Sequence, residues 1–176
     1  MKIKNQEISE IQDKDINNGT FIIDSSVKII GADAFSHCDS LQKIIIPKNI
    51  EKINRAAFFM CDNLNEVIFE NLECEIAYSA FSHTGLVYIE LPLYLKRIPE
   101  SCFAFCKYLK KIKIPKTIQT IGNLAFENCD SLEEIQLPKE LKNINDLMFW
   151  QCKNLKTIYW NDKQYDYNDL KMYQSF

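Results

Sequence analysis

Phenylalanine recurs at Phe35, Phe58, Phe81, Phe103, Phe126 and Phe149, in steps of 23, 23, 22, 23 and 23 residues. A unit that short cannot enclose a core of its own, so a chain built this way has to stack its units and bury each against the next. Other columns keep the same register. Cysteine or threonine follows each phenylalanine by three, at Cys38, Cys61, Thr84, Cys106, Cys129 and Cys152. Leucine comes next at Leu41, Leu64, Leu86, Leu109, Leu132 and Leu155. An isoleucine precedes each phenylalanine by five, at Ile30, Ile53, Ile76, Ile98, Ile121 and Ile144.

After each leucine comes an apolar pair two residues apart: Ile44/Ile46, Val67/Phe69, Ile89/Leu91, Ile112/Ile114, Ile135/Leu137 and Ile158/Trp160. That spacing puts both members on one side of a short strand. Phe21/Ile23 supplies a seventh such position at the start. Proline follows the pair at Pro47, Pro92, Pro115 and Pro138 and, lacking an N–H, closes the strand. The return through Ala-Phe to Cys is expected as a helical or 3₁₀ turn, with small residues at Ala34, Ala57, Ala80 and Ala125 and with Cys102 and Met148 in the same slot. The third unit is one residue short at Ser82-His83-Thr84-Gly85-Leu86, where Gly85 is expected to supply positive φ. The expected fold is an α/β repeat solenoid with a parallel sheet on the concave face and helical or 3₁₀ return turns on the convex face.

The pattern Leu-x-x-Ile-x-Ile-Pro-x-x-Ile-x-x-Ile-x-x-x-Ala-Phe-x-x-Cys resembles the BspA-type leucine-rich repeats over residues 20–161, most closely at Leu132–Pro138 and Ile121–Cys129. The resemblance implies a short leucine-rich-repeat stack of six units that serves as a binding surface, often in bacterial cell-surface adhesins. Residues 1–19 are read as an N-terminal cap or tail and residues 162–176 as a C-terminal cap.

The net charge is −3 over 176 residues, so no global field points to nucleic acid or an acidic membrane. The first twenty residues hold no apolar run of signal-peptide length, and no stretch reaches the ~18 apolar residues of a membrane span. Seven cysteines without a leader point to a reduced, cytoplasmic protein, extracellular if a leader has been removed. The cysteine column reads as packed core. Cys74 stands outside it and is expected to be the reactive thiol. His37 and His83 lie two units apart, too far to share a metal. No nucleophile–base pair and no glycine-rich phosphate loop can be assembled, so neither enzymatic activity nor a cofactor is expected.

Function is therefore sought on the faces. The residues between the apolar pairs begin Ile22, Ile45 and Ile68, apolar where a solvated sheet should be polar. With Lys43, Glu66 and Tyr88 on the rim they form a candidate contact site, unless the N-terminal segment covers them with Ile8 and Ile11. Phe59, Met60, Phe105 and Trp150 form a second candidate on the return side, unless they pack between turns. Lys107, Lys110, Lys111, Lys113 and Lys116 form a basic patch in the fourth unit, opposed by glutamates at Glu66, Glu70, Glu73 and Glu75. The expected role is a monomeric, non-catalytic module that binds another protein, for instance an intracellular inhibitor encoded by a phage or mobile element. A cell-surface adhesin is the first alternative, and nucleic-acid binding through Lys111, Lys113 and their neighbours the second.

Overall fold

The computed structural model describes residues 2–168. Seven short strands occupy the apolar-pair positions: Thr20–Phe21, Lys43–Ile46, Glu66–Phe69, Tyr88–Glu90, Lys111–Lys113, Glu134–Gln136 and Thr157–Trp160. Where they pair, they run parallel and in register, one unit to the next, as in Ile44↔Val67, Ile89↔Ile112 and Ile135↔Ile158. A second parallel ladder runs through the isoleucine column at Ile29–Ile30, Lys52–Ile53, Glu75–Ile76, Arg97–Ile98 and Thr120–Ile121. The chain is thus a β-solenoid with a sheet on two sides and a stack of turns on the third.

The helical or 3₁₀ return expected on that third side does not form in the first five units; the sixth return alone, Asp146–Phe149, is 3₁₀. The only 3₁₀ segments among the described residues are Asp13–Asp15 and Asp146–Phe149, and no return is an α-helix. Each regular return is instead a run of overlapping turns, as in Ala34 N–H to Gly31, Ser36 N–H to Asp33 and Cys38 N–H to Phe35. The intervening amides point along the stack: Asp33, Phe35 and His37 donate to the carbonyls of Arg55, Ala57 and Phe59 in the next unit. Three such bonds, between 2.6 and 3.1 Å, join the returns at each of the five junctions from the first unit to the sixth. A helix would spend these donors within its own unit and leave neighbouring returns without backbone bonds.

The alternation is set by residues with positive φ, near 51–61°, two per return in the first five units: Asp33 and His37, Ala56 and Met60, Ser79 and His83, Ser101 and Phe105, Leu124 and Asn128. Non-glycine residues there cost on the order of 1–3 kcal/mol each, a strain that persists only where the surroundings hold it. Here the inter-unit bonds hold it.

Inside, the six column phenylalanines are fully buried and form one spine. Successive rings stack at centroid separations of 5.0, 5.2, 5.7, 5.8 and 5.6 Å. Phe21 closes one end edge-on at 5.1 Å and Tyr167 the other at 6.2 Å, with the Tyr167 hydroxyl donating to the Phe149 carbonyl at 2.5 Å. The thiols of Cys61, Cys106, Cys129 and Cys152 donate to the carbonyls of Phe35, Phe81, Phe103 and Phe126, at 2.9–3.2 Å. Thr84 replaces cysteine in the short unit and turns its hydroxyl to its own Phe81 carbonyl. Cys74, expected to be reactive, is buried, and burial pushes its thiol up to about 12, as it does for Cys61.

Gly85 is needed for a different reason from the one expected. Its φ is not positive. A Cβ built there would lie 2.2 Å from the Asp62 carbonyl oxygen, so the shortened corner brings backbone against backbone. Both sheets are interrupted at this level, between Glu66–Phe69 and Tyr88–Glu90 and between Glu75–Ile76 and Arg97–Ile98. The turn side is not: Ser79, Phe81 and His83 still donate to Glu100, Cys102 and Ala104.

At the N-terminus, Lys2–Lys4 and Glu7–Glu10 form an antiparallel hairpin whose second strand pairs in parallel with Ile29–Ile30. At the other end, Lys163–Asp166 folds back antiparallel on Thr157–Trp160. The remainder of the expected C-terminal cap, residues 169–176, lies outside the described residues.

Three outcomes follow for stability and reactivity. Phe81→Ala, in the middle of the spine, should lose about 3–5 kcal/mol in chemical denaturation. Gly85→Ala should lower the melting temperature even though only a methyl is added, because no flexible side chain can move out of its way. At pH 8 the folded, pre-reduced protein should react with a thiol reagent far more slowly than in guanidinium, since Cys61 and Cys74 hold almost no thiolate there.

Candidate functional site

On the first sheet the residues between the core positions point outward, and the row divides in chemistry. Ile22, Ile45 and Ile68 are exposed (Ile22 by 86%), followed by Glu90, Lys113 and Gln136. The neighbouring row carries Lys43, Glu66, Tyr88, Lys111 and Glu134. Charges in both rows answer one another across one unit: Lys43 bonds Glu66 at 2.9 Å in the second row, and Lys113 pairs with Glu90 in the first. Lys28–Glu51 and Arg55–Asp33 repeat the device on other sides, at 2.8 and 3.1 Å. Exposed pairs like these contribute little stability each, but they leave fewer charges uncompensated than the sequence suggests. Of the expected basic patch, Lys113 is neutralised in this way, while Lys111 remains exposed beside it.

The N-terminal segment does not cover the isoleucines. Ile8 and Ile11 are buried on the side of the second ladder, with Ile8 beside Ile30 and the Ile11 N–H on the Ala34 carbonyl. Ile22, Ile45 and Ile68 are left as an apolar strip leading toward Tyr88.

Beyond Ile68 and Tyr88 the strip opens into a groove of about 820 Å³. Phe69, Leu91 and Ile114 are among the residues that line it, together with Leu72, Leu93 and Tyr94, each about half exposed. Glu66, Glu90, Lys113 and Lys116 also border it, with Lys113 and Glu90 paired to each other. These loop residues were not singled out from sequence, although a signal was present. Regular corners read Pro47-Lys48-Asn49, Pro115-Lys116-Thr117 and Pro138-Lys139-Glu140. The third unit has Glu70-Asn71-Leu72 in their place and the fourth Pro92-Leu93-Tyr94. In the regular corners the residue three after proline donates back to it, as Ile50 does to Pro47 and Ile118 to Pro115, and Leu95 does the same to Pro92 in the fourth unit. Glu70 begins no such turn, so Cys74 fills the core and Leu72 is pushed out.

On the turn side, Phe59 lies edge-on between His37 and His83, with centroids at 6.0 and 5.4 Å. Phe105 stacks on His83 at 4.4 Å. Phe59, Met60 and Phe105 are half-buried, whereas Trp150 is about half exposed. Phe59 and Phe105 therefore pack against the histidines of neighbouring turns, His37 and His83, while Trp150 has no such ring partner among these contacts. Burial lowers the His83 pKa below the usual imidazole range. Among the described residues, no three His, Cys, Asp or Glu side chains gather closely enough to hold a metal ion, and no helix is long and apolar enough to cross a membrane.

The chain matches the family model described as the BspA type leucine rich repeat region, in six copies, over residues 6–75 and 74–173. No curated protein matches it in sequence. Among solved structures it is similar to a leucine-rich repeat protein of Bacteroides ovatus, with 31% identity and a TM-score of 0.75 over 81% of this chain and 38% of that one. It is similar as well to the leucine-rich repeat protein of T. pallidum, with 27% identity and a TM-score of 0.76 over 83% of this chain and 70% of that one. A leucine rich cell surface protein of Faecalibacterium prausnitzii gives 26% identity and a TM-score of 0.69, over 82% of this chain and 39% of the other. The chain thus spans well under half the length of two of these three. With the repeat columns, the inter-unit ladders and the family model in agreement over nearly its whole length, the chain belongs to the BspA-type leucine-rich repeat family.

Proposed function

We propose that this chain is a non-catalytic protein-binding module whose contact surface is the strip Ile22–Ile45–Ile68 together with the groove between Leu72 and Tyr94. The observation that carries this reading is the placement of exposed apolar groups. Ile22, Ile45, Ile68, Leu72, Tyr88, Leu93 and Tyr94 lie along one connected part of the surface, at positions where other units carry mostly polar or charged residues. Apolar patches of this kind mark partner surfaces. Because neighbouring charges are already paired with one another, affinity is expected to come from apolar contacts, and the unpaired rim charges to set orientation. A solenoid held by backbone bonds at every junction presents that surface with little ordering cost on docking. Covering a site on a larger protein would make such a module an inhibitor, the intracellular form of this reading.

A cell-surface setting is the second reading. It is favoured by the Faecalibacterium relative, described as a cell surface protein, and by the larger size of that chain.

Tagged protein should retain a stoichiometric protein ligand that is lost from the Ile22→Thr/Ile45→Thr/Ile68→Thr variant or from Leu72→Asp/Leu93→Asp. Either variant should weaken binding by at least about tenfold, the scale of two or three buried methyl groups. Both should melt close to wild type, since the altered side chains are exposed. Retention of the same ligand at unchanged affinity by both variants would contradict the assignment.

A further inference from the structure

The shortened third unit leaves a mark on the corner opposite the apolar groove. In the other units two residues separate the column cysteine from the leucine: Asp39-Ser40, Asp62-Asn63, Lys107-Tyr108, Asp130-Ser131 and Lys153-Asn154. These corners stack, and their asparagines bridge them: Asn63 donates to the Asp39 carbonyl at 2.8 Å and Asn154 to that of Asp130 at 2.7 Å. In the third unit Gly85 stands alone in that place, its Cα pressed against the Asp62 carbonyl. One corner is therefore missing from the stack. The gap is a notch of about 490 Å³ whose lining includes Asp62, Asn65, His83, Phe105, Lys107 and Tyr108.

The chemistry of the notch differs from that of the groove. It holds one carboxylate and one ammonium, so either charge on a ligand would meet a like charge as well as an opposite one. A neutral polar ligand meets no such conflict. Carboxylate and side-chain amide groups accept and donate in pairs. Tyr108, which is 62% exposed, and the His83–Phe105 stack supply aromatic surface. Aromatic surface beside paired polar groups suits a molecule with a ring of C–H bonds and a rim of hydroxyls. The volume lies within the ~300–1,000 Å³ of small-molecule sites. Burial lowers the His83 pKa and so favours the neutral imidazole, which offers one donor and one acceptor without adding charge.

We propose that the notch at Gly85 is a binding site for a neutral saccharide, of one or two hexose rings, independent of the apolar protein-contact surface. Asp62 and Asn65 take the hydroxyls, Tyr108 covers the ring face, and Lys107 closes the rim.

Saturation-transfer NMR of the full chain against glucose, galactose, mannose, N-acetylglucosamine, maltose and cellobiose tests this, with glycine as the zwitterionic control. At least one sugar should receive saturation. Its affinity should fall about tenfold in Asp62→Ala and in Tyr108→Ala, the scale of one lost polar or stacking contact. A variant with one asparagine inserted between Thr84 and Gly85 restores the 23-residue spacing and should abolish binding. Circular dichroism reports whether each variant is folded, and Tyr108→Ala, at an exposed ring, keeps the test valid if the insertion unfolds the chain. Transfer to none of the sugars, transfer to glycine alone, or sugar binding unchanged in folded Tyr108→Ala would each overturn the assignment. None of these outcomes depends on the Ile22, Ile45 and Ile68 surface.

Discussion

The hydrogen bonds between successive returns are the constraint on which the rest depends. Both sheets break between the third and fourth units, yet Phe81, flanked by Ser79 and His83, still donates its amide across that level. Behind those amides lies the phenylalanine spine, whose rings stack at 5.0–5.8 Å from Phe35 to Phe149. The two features require each other. In-register returns bring the rings to stacking distance, and ring stacking with burial of about six aromatic side chains offsets the positive-φ strain of the returns. Cysteine belongs to this arrangement as a small side chain that fills the space behind each ring and satisfies a phenylalanine carbonyl.

That frame leaves the corners free to vary. The third and fourth units use the freedom on both sides of the molecule. One corner loses its proline turn and extrudes Leu72 toward Leu93 and Tyr94; the other loses a residue and leaves the notch at Gly85. Departures from an otherwise consistent pattern are where function is expected, since the repeat alone would specify neither. The apolar strip and groove would serve a protein partner and the polar notch a small neutral one. Several charges between them are paired across units, Lys113 with Glu90 among them, and contribute chiefly solubility and register.

Much of the interior was legible in the sequence because burial repeats: Phe, Cys, Leu and the apolar pair each return at the period of the solenoid, and these columns form the core, with only Phe69, Ile114 and Trp160 of the pairs partly exposed. The backbone of the returns was not legible. Its positive-φ positions carry Asp, Ala, Ser, Leu, His, Met, Phe and Asn, where the usual signal is glycine, and the two-residue strands at the isoleucine column are too short to show an alternation. The missing residue at Gly85 is legible in the sequence but its cause is not, because the close approach of the Asp62 carbonyl involves a residue of the preceding unit and leaves no local sequence signal. Ile22, Ile45 and Ile68 stood out because apolar residues at outward strand positions violate a simple rule. Leu72, Leu93 and Tyr94 did not stand out because exposed loop positions carry no recurring burial column, and only the absence of a proline turn at Glu70 turns Leu72 outward.

Amide hydrogen exchange resolved by residue tests the primacy of the return ladder most directly. The account predicts that Phe58, Phe81, Phe103 and Phe126 exchange among the slowest amides of the molecule, with Phe81 and His83 protected although the sheets on either side are interrupted. Slow exchange confined to the sheet strands, with the return amides exchanging as open loops do, would contradict it.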